Sequence, residues 1–131
     1  MVLGDLKSDL ASIQSSNVFQ HKVTPVSLGI GTAGNYMDII IPANTRVPVS
    51  RVKRYFYTAV NHYSTLGLDV YKGEDKKYTN NERVATFLAV GIPIGSHRAI
   101  EITFTVDEDY IITVTGRDGP TGKDLRLTKK S

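Results

Sequence analysis

A glycine-rich stretch offers the first residues that could bind a ligand. Residues 29–34 (Gly-Ile-Gly-Thr-Ala-Gly) match the pattern G-x-G-x-x-G and follow an apolar run, as in dinucleotide-binding folds. That chemistry requires a helix directly after the glycines, because the helix N-terminus faces the pyrophosphate. Here residues 37–42 follow, and they predict a strand that ends at a proline. The glycines therefore fit a bend and a turn, and Gly29 fits a strand that bends or that another backbone approaches closely.

The side chains that could bind metals or perform catalysis are scattered. His21, His62 and His97 are far apart, with no partner at i+4 and no neighbouring cysteine, so a zinc site is not expected. Residues 107–109 are all acidic, but they lack the spacing and the downstream glutamate of a calcium loop and predict a charged hairpin tip. No nucleophile lies in an activating context. We therefore predict no catalytic residues and no metal ligands.

Basic and aromatic side chains occur together in residues 51–57, which contain Arg51, Lys53, Arg54, Tyr55, Phe56 and Tyr57. Basic grooves with stacking aromatics bind single-stranded nucleic acid in small β-barrels. A simpler interpretation is that alternate residues fill a core while the charges face water, and no second strand of this composition occurs. We favour the simpler interpretation and expect no nucleic-acid partner. A nucleic-acid-binding barrel that uses this segment stays the alternative.

The composition restricts the class of protein. The 131 residues suffice for one domain with a sizeable core. The absence of cysteine excludes disulfides and thiolate metal sites and fits a reducing compartment, so we expect a cytoplasmic location. No apolar run is long enough for a membrane span, and the first ten residues lack the order of a signal peptide. A formal charge of +3 is too small to indicate nucleic-acid binding by itself.

Short segments of strand type follow one another through most of the chain. Before them, Leu3, Leu6, Leu10 and Ile13 share one helical face, with Asp5 positioned to cap it. We therefore predict an all-β fold, a two-sheet antiparallel β-sandwich of about eight strands with a short N-terminal helical leader. Residues 1–22 are assigned to a leader or interdomain linker and residues 23–131 to the sandwich domain. The predicted strands are residues 26–30, 36–41, 51–58, 66–71, 84–90, 100–106, 111–115 and 125–128.

Many residues between positions 23 and 128 match one known family in the same order. They are residues 23–30 (VTPVSLGI) and 32–34 (TAG), Asn44-Thr45, Val47-Pro48, Phe56 with Thr58-Ala59, Val70 with Gly73-Glu74, Phe87 with Gly91-Ile92, residues 100–104 (IEITF) and Thr121-Gly122-Lys123. Together they resemble the peptide-binding domain of the seventy-kilodalton heat-shock chaperones. The resemblance covers essentially the whole β region and is far more specific than the glycine pattern.

The resemblance implies that loops at one end of the sandwich hold an extended peptide in a channel. By position in the family, Ala33 and Ala59 would form an arch over the peptide backbone. Leu66 would lie at a central pocket that takes one apolar side chain, and Ile100 would line the floor. The complete set of peptide-binding residues that the resemblance implies is Ile30, Thr32, Ala33, Phe56, Tyr57, Ala59, Leu66, Gly67, Leu68 and Ile100.

Several positions depart from the family's pattern. Residues 17–22 stand where the family has a leucine-rich linker flanked by aspartates, and Gln20 and His21-Lys22 replace apolar and acidic groups there. Gly31 replaces an acidic residue and Ala43 a basic one. In the family these positions face a nucleotide-binding domain, so coupling to such a domain is an open question here. Tyr110 occupies a turn position that the family usually gives to glycine. Leu66 stands where the family commonly has a smaller valine, which should make the pocket shallower.

The resemblance implies a chaperone's peptide-binding domain and not an enzyme, because this chain contains no ATPase domain. A full-length parent would bind and hydrolyse ATP with Mg²⁺ in an attached domain, so we expect no cofactor in this chain. Expected partners are extended apolar segments of unfolded proteins, J-domain co-chaperones acting through a full-length parent, and a second copy bound through the open channel. No membrane partner is expected. A chaperone-derived domain that has lost client binding is a further alternative.

Overall fold

The structure is a computed structural model that describes residues 1–12, 22–61 and 64–130, and these residues form an all-β fold, as predicted. Short 3-10 helices cover Lys7–Ser12, Ala33–Asn35 and Tyr78–Asn80. The strands are β1 Val2–Asp5, β2 Leu28–Thr32, β3 Tyr36–Ile41, β4 Val49–Ala59, β5 Leu66–Lys72, β6 Glu82–Val90, β7 Gly95–Val106, β8 Ile111–Asp118 and β9 Asp124–Lys130.

Alternating apolar residues build the core, and β7 shows the pattern most clearly. Ile100, Ile102, Phe104 and Val106 are fully buried, while the residues between them are half-buried. The same alternation operates in β6, where Phe87 is fully buried. The inward side chains of both sheets form one cluster, as expected for a sandwich.

The strand order is β3-β2-β5-β6-β9-β8-β7-β4, and the pairings are antiparallel. The strand β9 joins the two sheets, because its later residues pair with β6 and its first residues pair with β8. The predicted two-sheet sandwich is therefore confirmed. On the opposite side of the molecule, β3 and β4 end the strand order and share no ladder of backbone hydrogen bonds.

The predicted N-terminal helix is wrong. Val2–Asp5 forms a strand that pairs with β8 over Ile111–Asp118, and only the 3-10 helix Lys7–Ser12 follows it. Leu3 and Leu6 both reach the core, which explains why their spacing imitates a helical face. A short isolated helix is costly to nucleate, so the hydrogen bonds available along β8 decide the local structure. Ile13, the last member of the proposed helical face, lies outside the described residues.

Polar contacts also fasten these first residues to the sandwich. The Lys72 ammonium lies 2.9 Å from the Asp9 carboxylate, and Lys129 donates to the carbonyl oxygen of Leu3 at 3.0 Å. Burial opposes the charge of Lys72, but the hydrogen bond and the charge of Asp9 outweigh it and raise the pKa of Lys72 above its ordinary value. The division of the chain at residue 22 stays a prediction, since residues 13–21 lie outside the described part of the chain.

The structure explains why a glycine occupies position 29 inside an apolar strand: another backbone approaches it closely. A β-carbon there would collide with the backbone carbonyl of Asp38 in the neighbouring strand β3. A register shift between Leu28 and Gly29 accompanies this close approach. The backbone that comes close to β2 is therefore that of β3, within the same sheet.

Residues 107–110, of which the first three are acidic, form the predicted hairpin tip between β7 and β8. The Asp107 carboxylate accepts hydrogen bonds from the backbone of Asp109 at 2.8 Å and of Ile111 at 3.0 Å. Tyr110 closes the turn with φ of +64°, a conformation that favours glycine. The glycine that the family usually has at this position indicated a left-handed backbone. The turn has that backbone here, although its residue is a tyrosine. Among the described residues, no helix is long and apolar enough to cross a membrane.

Candidate functional site

The predicted peptide-binding residues meet at one end of the sandwich. The strand β2 ends at Thr32 and β5 begins at Leu66, and the antiparallel register of Ile30 with Val70 places these two ends together. The strand β4 ends at Ala59 opposite the start of β7 at Gly95. Residues 33–35, 60–61, 64–65, 91–94 and 119–123 therefore lie in the segments that connect strands at this same end, which we call the loop end.

Six of the ten predicted residues point toward the core beneath the loop end. Ile30, Ala59 and Ile100 are 1%, 2% and 0% exposed, and Tyr57 and Leu68 belong to the same buried cluster. Leu66 is only partly buried and packs against this cluster. Among these six residues, Leu66 is therefore the most accessible to an incoming apolar side chain. The structure brings the apolar floor together as the resemblance implied, while its peptide-binding role stays a prediction.

The other four predicted residues lie at the rim or on the outer faces. Phe56 is 54% exposed, because strand alternation places it on the opposite face of β4 from Tyr57. Gly67 is exposed on the outer face of β5. Ala33 is exposed in the turn after β2, and the Thr32 hydroxyl donates to the carbonyl oxygen of Tyr36 at 2.9 Å. Phe56 and Tyr57 consequently cannot line the same surface of β4.

A partly buried ion pair stabilises the loop end, and no spacing pattern in the sequence predicts it. Arg98 donates to both carboxylate oxygens of Asp118, at 3.1 Å from Nε and 2.9 Å from a terminal nitrogen. The Thr121 hydroxyl and backbone also donate to Asp118. Burial raises the pKa of Asp118, but these hydrogen bonds outweigh burial and hold it below its ordinary value. The pair connects β7 to the β8–β9 turn across 20 sequence positions, a distance that no spacing pattern reveals.

Tyr57 joins the end of β4 to one of the connecting segments at the loop end. Its hydroxyl donates to the backbone carbonyl of Pro93 at 3.1 Å. Burial raises the pKa of the Tyr57 hydroxyl, so it stays a proton donor over the physiological range. The end of β4 is therefore held against the segment between β6 and β7.

A β-bulge beside the loop end contains His97, one of the three histidines that lie far apart in the sequence. Tyr57 pairs with Arg98 and Ala59 with Gly95, so one residue of β4 faces two residues of β7. His97, in this bulge, has φ of +52°. Its ring stacks on Phe56 with centroids 4.7 Å apart and an angle of 9° between the planes.

The basic and aromatic side chains of β4 are mostly engaged within the sandwich. The Tyr55 hydroxyl donates to Asp38 at 3.1 Å, and Lys53 lies 3.4 Å from the same carboxylate. Burial, followed by the charge and the hydrogen bond of Asp38, raises the pKa of Tyr55 far above its ordinary value. Arg54 lies 4.0 Å from Glu101. These contacts favour the interpretation of residues 51–57 as a structural edge strand over that of a nucleic-acid groove.

Two tyrosines explain the departure at Gly31. A β-carbon there would lie 2.8 Å from the Tyr71 ring and 3.1 Å from the Tyr78 ring, which contact each other with centroids 4.8 Å apart. An acidic side chain at this position would therefore require the two rings to move apart. Across the described residues, no group of three or more His, Cys, Asp or Glu is placed to bind a metal ion.

Comparisons with known proteins agree with this architecture. A family model described as Hsp70 protein matches residues 6–131. A mitochondrial heat shock 70 kDa protein of Trypanosoma cruzi is 35% identical over 108 residues, which cover 81% of this chain and 16% of that protein. The corresponding protein of Pisum sativum is 36% identical over 111 residues, covering 83% of this chain and 16% of its own length. The chaperone protein DnaK of Buchnera aphidicola is 37% identical over 112 residues, covering 83% of this chain and 17% of its own.

The chain thus spans only about 16–17% of the length of these curated relatives. Two of the relatives are named as mitochondrial and the third is a Buchnera protein. Since they differ in source and compartment, the cytoplasmic location expected from the sequence stays a prediction.

Proposed function

The chain belongs to the Hsp70 family, and on this premise we propose that its sandwich is the peptide-binding domain of a chaperone. The domain would hold extended apolar segments of unfolded proteins at the loop end. Main-chain hydrogen bonds would fix the extended backbone, and one apolar side chain would contact Leu66 above the buried floor.

The observation that supports this proposal most directly is the distribution of exposed apolar side chains. Among the described residues, seven large apolar side chains are strongly exposed, and four of them lie at or next to the loop end. These four are Tyr36, Phe56, Val60 and Ile94, at 54%, 54%, 78% and 48% exposure. Exposed apolar groups gathered in one region of a soluble fold favour a binding surface.

The energetics favour weak and broadly selective binding. Burial of one leucine side chain contributes about 1.5–3 kcal/mol, and each net hydrogen bond about 0.5–1.5 kcal/mol. After the cost of ordering the peptide, a dissociation constant in the micromolar range is expected, about −8 kcal/mol. Backbone contacts do not distinguish sequences, so selection would rest mainly on the apolar side chain.

The arch follows from the same proposal. Ala33 lies exposed in the turn after β2, and Ala59 lies at the end of β4 with its side chain in the buried cluster, so the two residues follow or end strands of different sheets at the loop end. Small side chains permit close approach of a peptide backbone. ATP hydrolysis and J-domain co-chaperones are proposed as properties of a longer protein that contains this sandwich.

Fluorescence anisotropy tests the proposal with a labelled heptapeptide that has leucine at its centre, titrated with the protein at two salt concentrations. The alanine-centred peptide is the control ligand. We expect micromolar, salt-insensitive binding that requires the leucine. Binding of labelled single-stranded DNA that weakens steeply with salt would instead favour the nucleic-acid alternative. A folded protein that binds neither ligand would favour the domain that has lost its clients.

The variant Leu66→Asp tests the pocket. A carboxylate at this partly buried position should reduce affinity for the leucine peptide at least tenfold, because it must be desolvated when the peptide binds. Val52→Asp introduces the same charge on the outer face of β4, where the native side chain is 61% exposed, and should leave the affinity unchanged. Circular dichroism would establish that both variants are folded. Unchanged affinity in Leu66→Asp would refute the pocket.

A further inference from the structure

The edge of β8 is a binding site for an extended segment, and residues 1–12 of the chain occupy it. The strand β1 lies along this edge as an added strand, the arrangement by which many proteins recognise extended peptides. Leu3 and Leu6 are 1% and 0% exposed and fill apolar sockets in the core. The site lies at the opposite end of the sandwich from the loop end, because β1 pairs with the first residues of β8.

Polar contacts with the sandwich add to the two sockets. The Lys72 ammonium lies 2.9 Å from the Asp9 carboxylate, and Lys129 donates to the carbonyl oxygen of Leu3 at 3.0 Å. The Lys72 side chain is only 12% exposed, and its second carboxylate, that of Glu82 at 3.5 Å, is 72% exposed. The site therefore recognises two leucines three positions apart and, three positions later, an acidic residue.

The ladder that holds β1 is short enough to open by itself. It pairs three residues of β1 with β8 and contains a register shift between Val2 and Gly4, whereas β7 pairs with β8 at seven positions. Short ladders at an edge open locally while the rest of a fold stays closed. The open edge of β8 then presents unpaired backbone groups and two empty apolar sockets. The same segment of a second copy satisfies all of these groups with the same contacts.

We propose that the β8 edge is a second polypeptide-binding site, at which two copies of this chain exchange residues 1–12. The site is separate from the open channel, so the inference does not depend on the proposed function. Nine residues, 13–21, connect the segment to its own sandwich. A connection of this length gives binding within one chain an effective concentration on the order of 1 mM. Exchange should therefore be slight at micromolar protein and substantial near that concentration.

Disulfide trapping tests the exchange, and a chain without cysteine suits this method. Met1 and Val114 exchange two backbone hydrogen bonds, at 2.9 Å and 2.8 Å, so Val2 and Thr113 form the next pair, which is not hydrogen-bonded. The short distance between such partners suits a disulfide. The single variants Val2→Cys and Thr113→Cys are mixed in equal amounts and oxidised at about 1 mM, where exchange should join position 2 of one copy to position 113 of the other.

Thr103→Cys replaces Thr113→Cys in the control mixture. Thr103 lies on the same outer face but on β7, about 10 Å from β1 across the sheet and beyond the reach of a disulfide. The Thr113→Cys mixture should give roughly tenfold more cross-linked heterodimer by mass spectrometry, and the excess should fall steeply on dilution to about 10 μM. Equal yields in the two mixtures would overturn the exchange.

A single chain that carries both Val2→Cys and Thr113→Cys should close its own disulfide at micromolar concentration. Failure to close it would also overturn the site, because β1 would then not lie on β8 in solution.

Charge reversal tests what the site recognises. Asp9→Lys in the copy that carries Val2→Cys should remove the heterodimer, because two ammonium groups then meet at Lys72. Lys72→Glu in the copy that carries Thr113→Cys should restore it. Circular dichroism would establish that each variant is folded. A heterodimer that survives Asp9→Lys, or that Lys72→Glu does not restore, would overturn the recognition of an acidic residue at this position.

Discussion

At the scale of single residues, two buried tyrosine hydroxyls differ in their partners. The Tyr57 hydroxyl donates to the backbone of Pro93, whereas the buried Tyr110 hydroxyl has no hydrogen-bond partner among the described residues. Tyr110 also has the left-handed backbone of the hairpin tip, and its ring is 7% exposed. The ring therefore packs well, while its oxygen has lost contact with water without compensation.

Removing the two hydroxyls should have different effects on stability. Tyr110→Phe should leave the free energy of unfolding unchanged or raise it by up to about 1 kcal/mol, since no hydrogen bond is lost. Tyr57→Phe should lower it by about 0.5–1.5 kcal/mol, because the Pro93 carbonyl loses its donor. Urea denaturation followed by circular dichroism measures both values. A loss of more than 1 kcal/mol in Tyr110→Phe would show that its hydroxyl has a partner.

The Arg98–Asp118 ion pair should make the stability of the fold depend on pH in the acid range. Because the pKa of Asp118 is depressed in the folded state, its stabilising effect is present above the unfolded pKa of about 3.9. The effect is lost as the pH falls through the lower folded pKa. Asp118→Asn should lower the free energy of unfolding at pH 7 by about 1.5–3 kcal/mol, because Arg98, which is partly exposed, loses its charged hydrogen-bond partner.

The cost of Asp118→Asn should shrink between pH 4 and pH 2, because the wild-type carboxylate then becomes protonated as well. Urea denaturation of both proteins over this range measures the difference, and carboxylates common to both proteins cancel. A difference that does not change with pH would contradict the assigned role of the ion pair.

At the scale of elements, the sequence contained enough information for the eight later strands. Period-two alternation is a local property, as the burial of Ile100 to Val106 shows, and it survives in the fold. The first strand was missed, because the spacing of Leu3 and Leu6 fits a helix equally well and only the edge of β8 decides between them. Strand bounds and turns were predictable where Gly, Pro and acidic residues mark them.

The candidate site was predictable only in part. The inward floor followed from the resemblance and from alternation in β5 and β7. Only the burial pattern along β4 shows that Phe56 and Tyr57 lie on opposite faces of the strand. The His97 bulge depends on the register between β4 and β7, and the Arg98–Asp118 pair depends on three-dimensional proximity. Neither feature has a sequence signature, since both arise from pairing between distant segments.

The N-terminal segment of β1 and Leu6, which directly follows it, should contribute measurably to the stability of the sandwich. Leu6 is fully buried and its backbone N–H donates to Tyr110 at 3.0 Å, so Leu6→Ala should lower the free energy of unfolding by about 2–4 kcal/mol. Val2 lies in the same segment but is 58% exposed, and Val2→Ala should cost less than about 0.5 kcal/mol. Thermal and urea denaturation measure both variants. Equal, small effects would mean that the segment is not docked in solution.

At the scale of the whole molecule, the two sides of the sandwich are closed by different interactions. On one side β9 joins the sheets through backbone hydrogen bonds to both β6 and β8. On the other side β3 and β4 are joined by the Asp38 carboxylate, which accepts from Tyr55 and lies near Lys53. Backbone ladders open cooperatively, whereas single side-chain contacts open locally. The sandwich should therefore open first between β3 and β4, next to the loop end.

Native-state hydrogen exchange can locate this opening. In Asp38→Ala, amides of β3 and β4 should exchange roughly tenfold faster, because a partly exposed charged hydrogen bond contributes about 1–1.5 kcal/mol. Amides of β7 and β8 should be unaffected. Asp69→Ala is the matched control, since Asp69 accepts a hydrogen bond from Thr86 within one sheet and should leave exchange in β3 and β4 unchanged. If amide exchange in Asp38→Ala were faster in all strands alike, Asp38 would support global stability instead. If exchange were not faster anywhere, other contacts would close the side between β3 and β4.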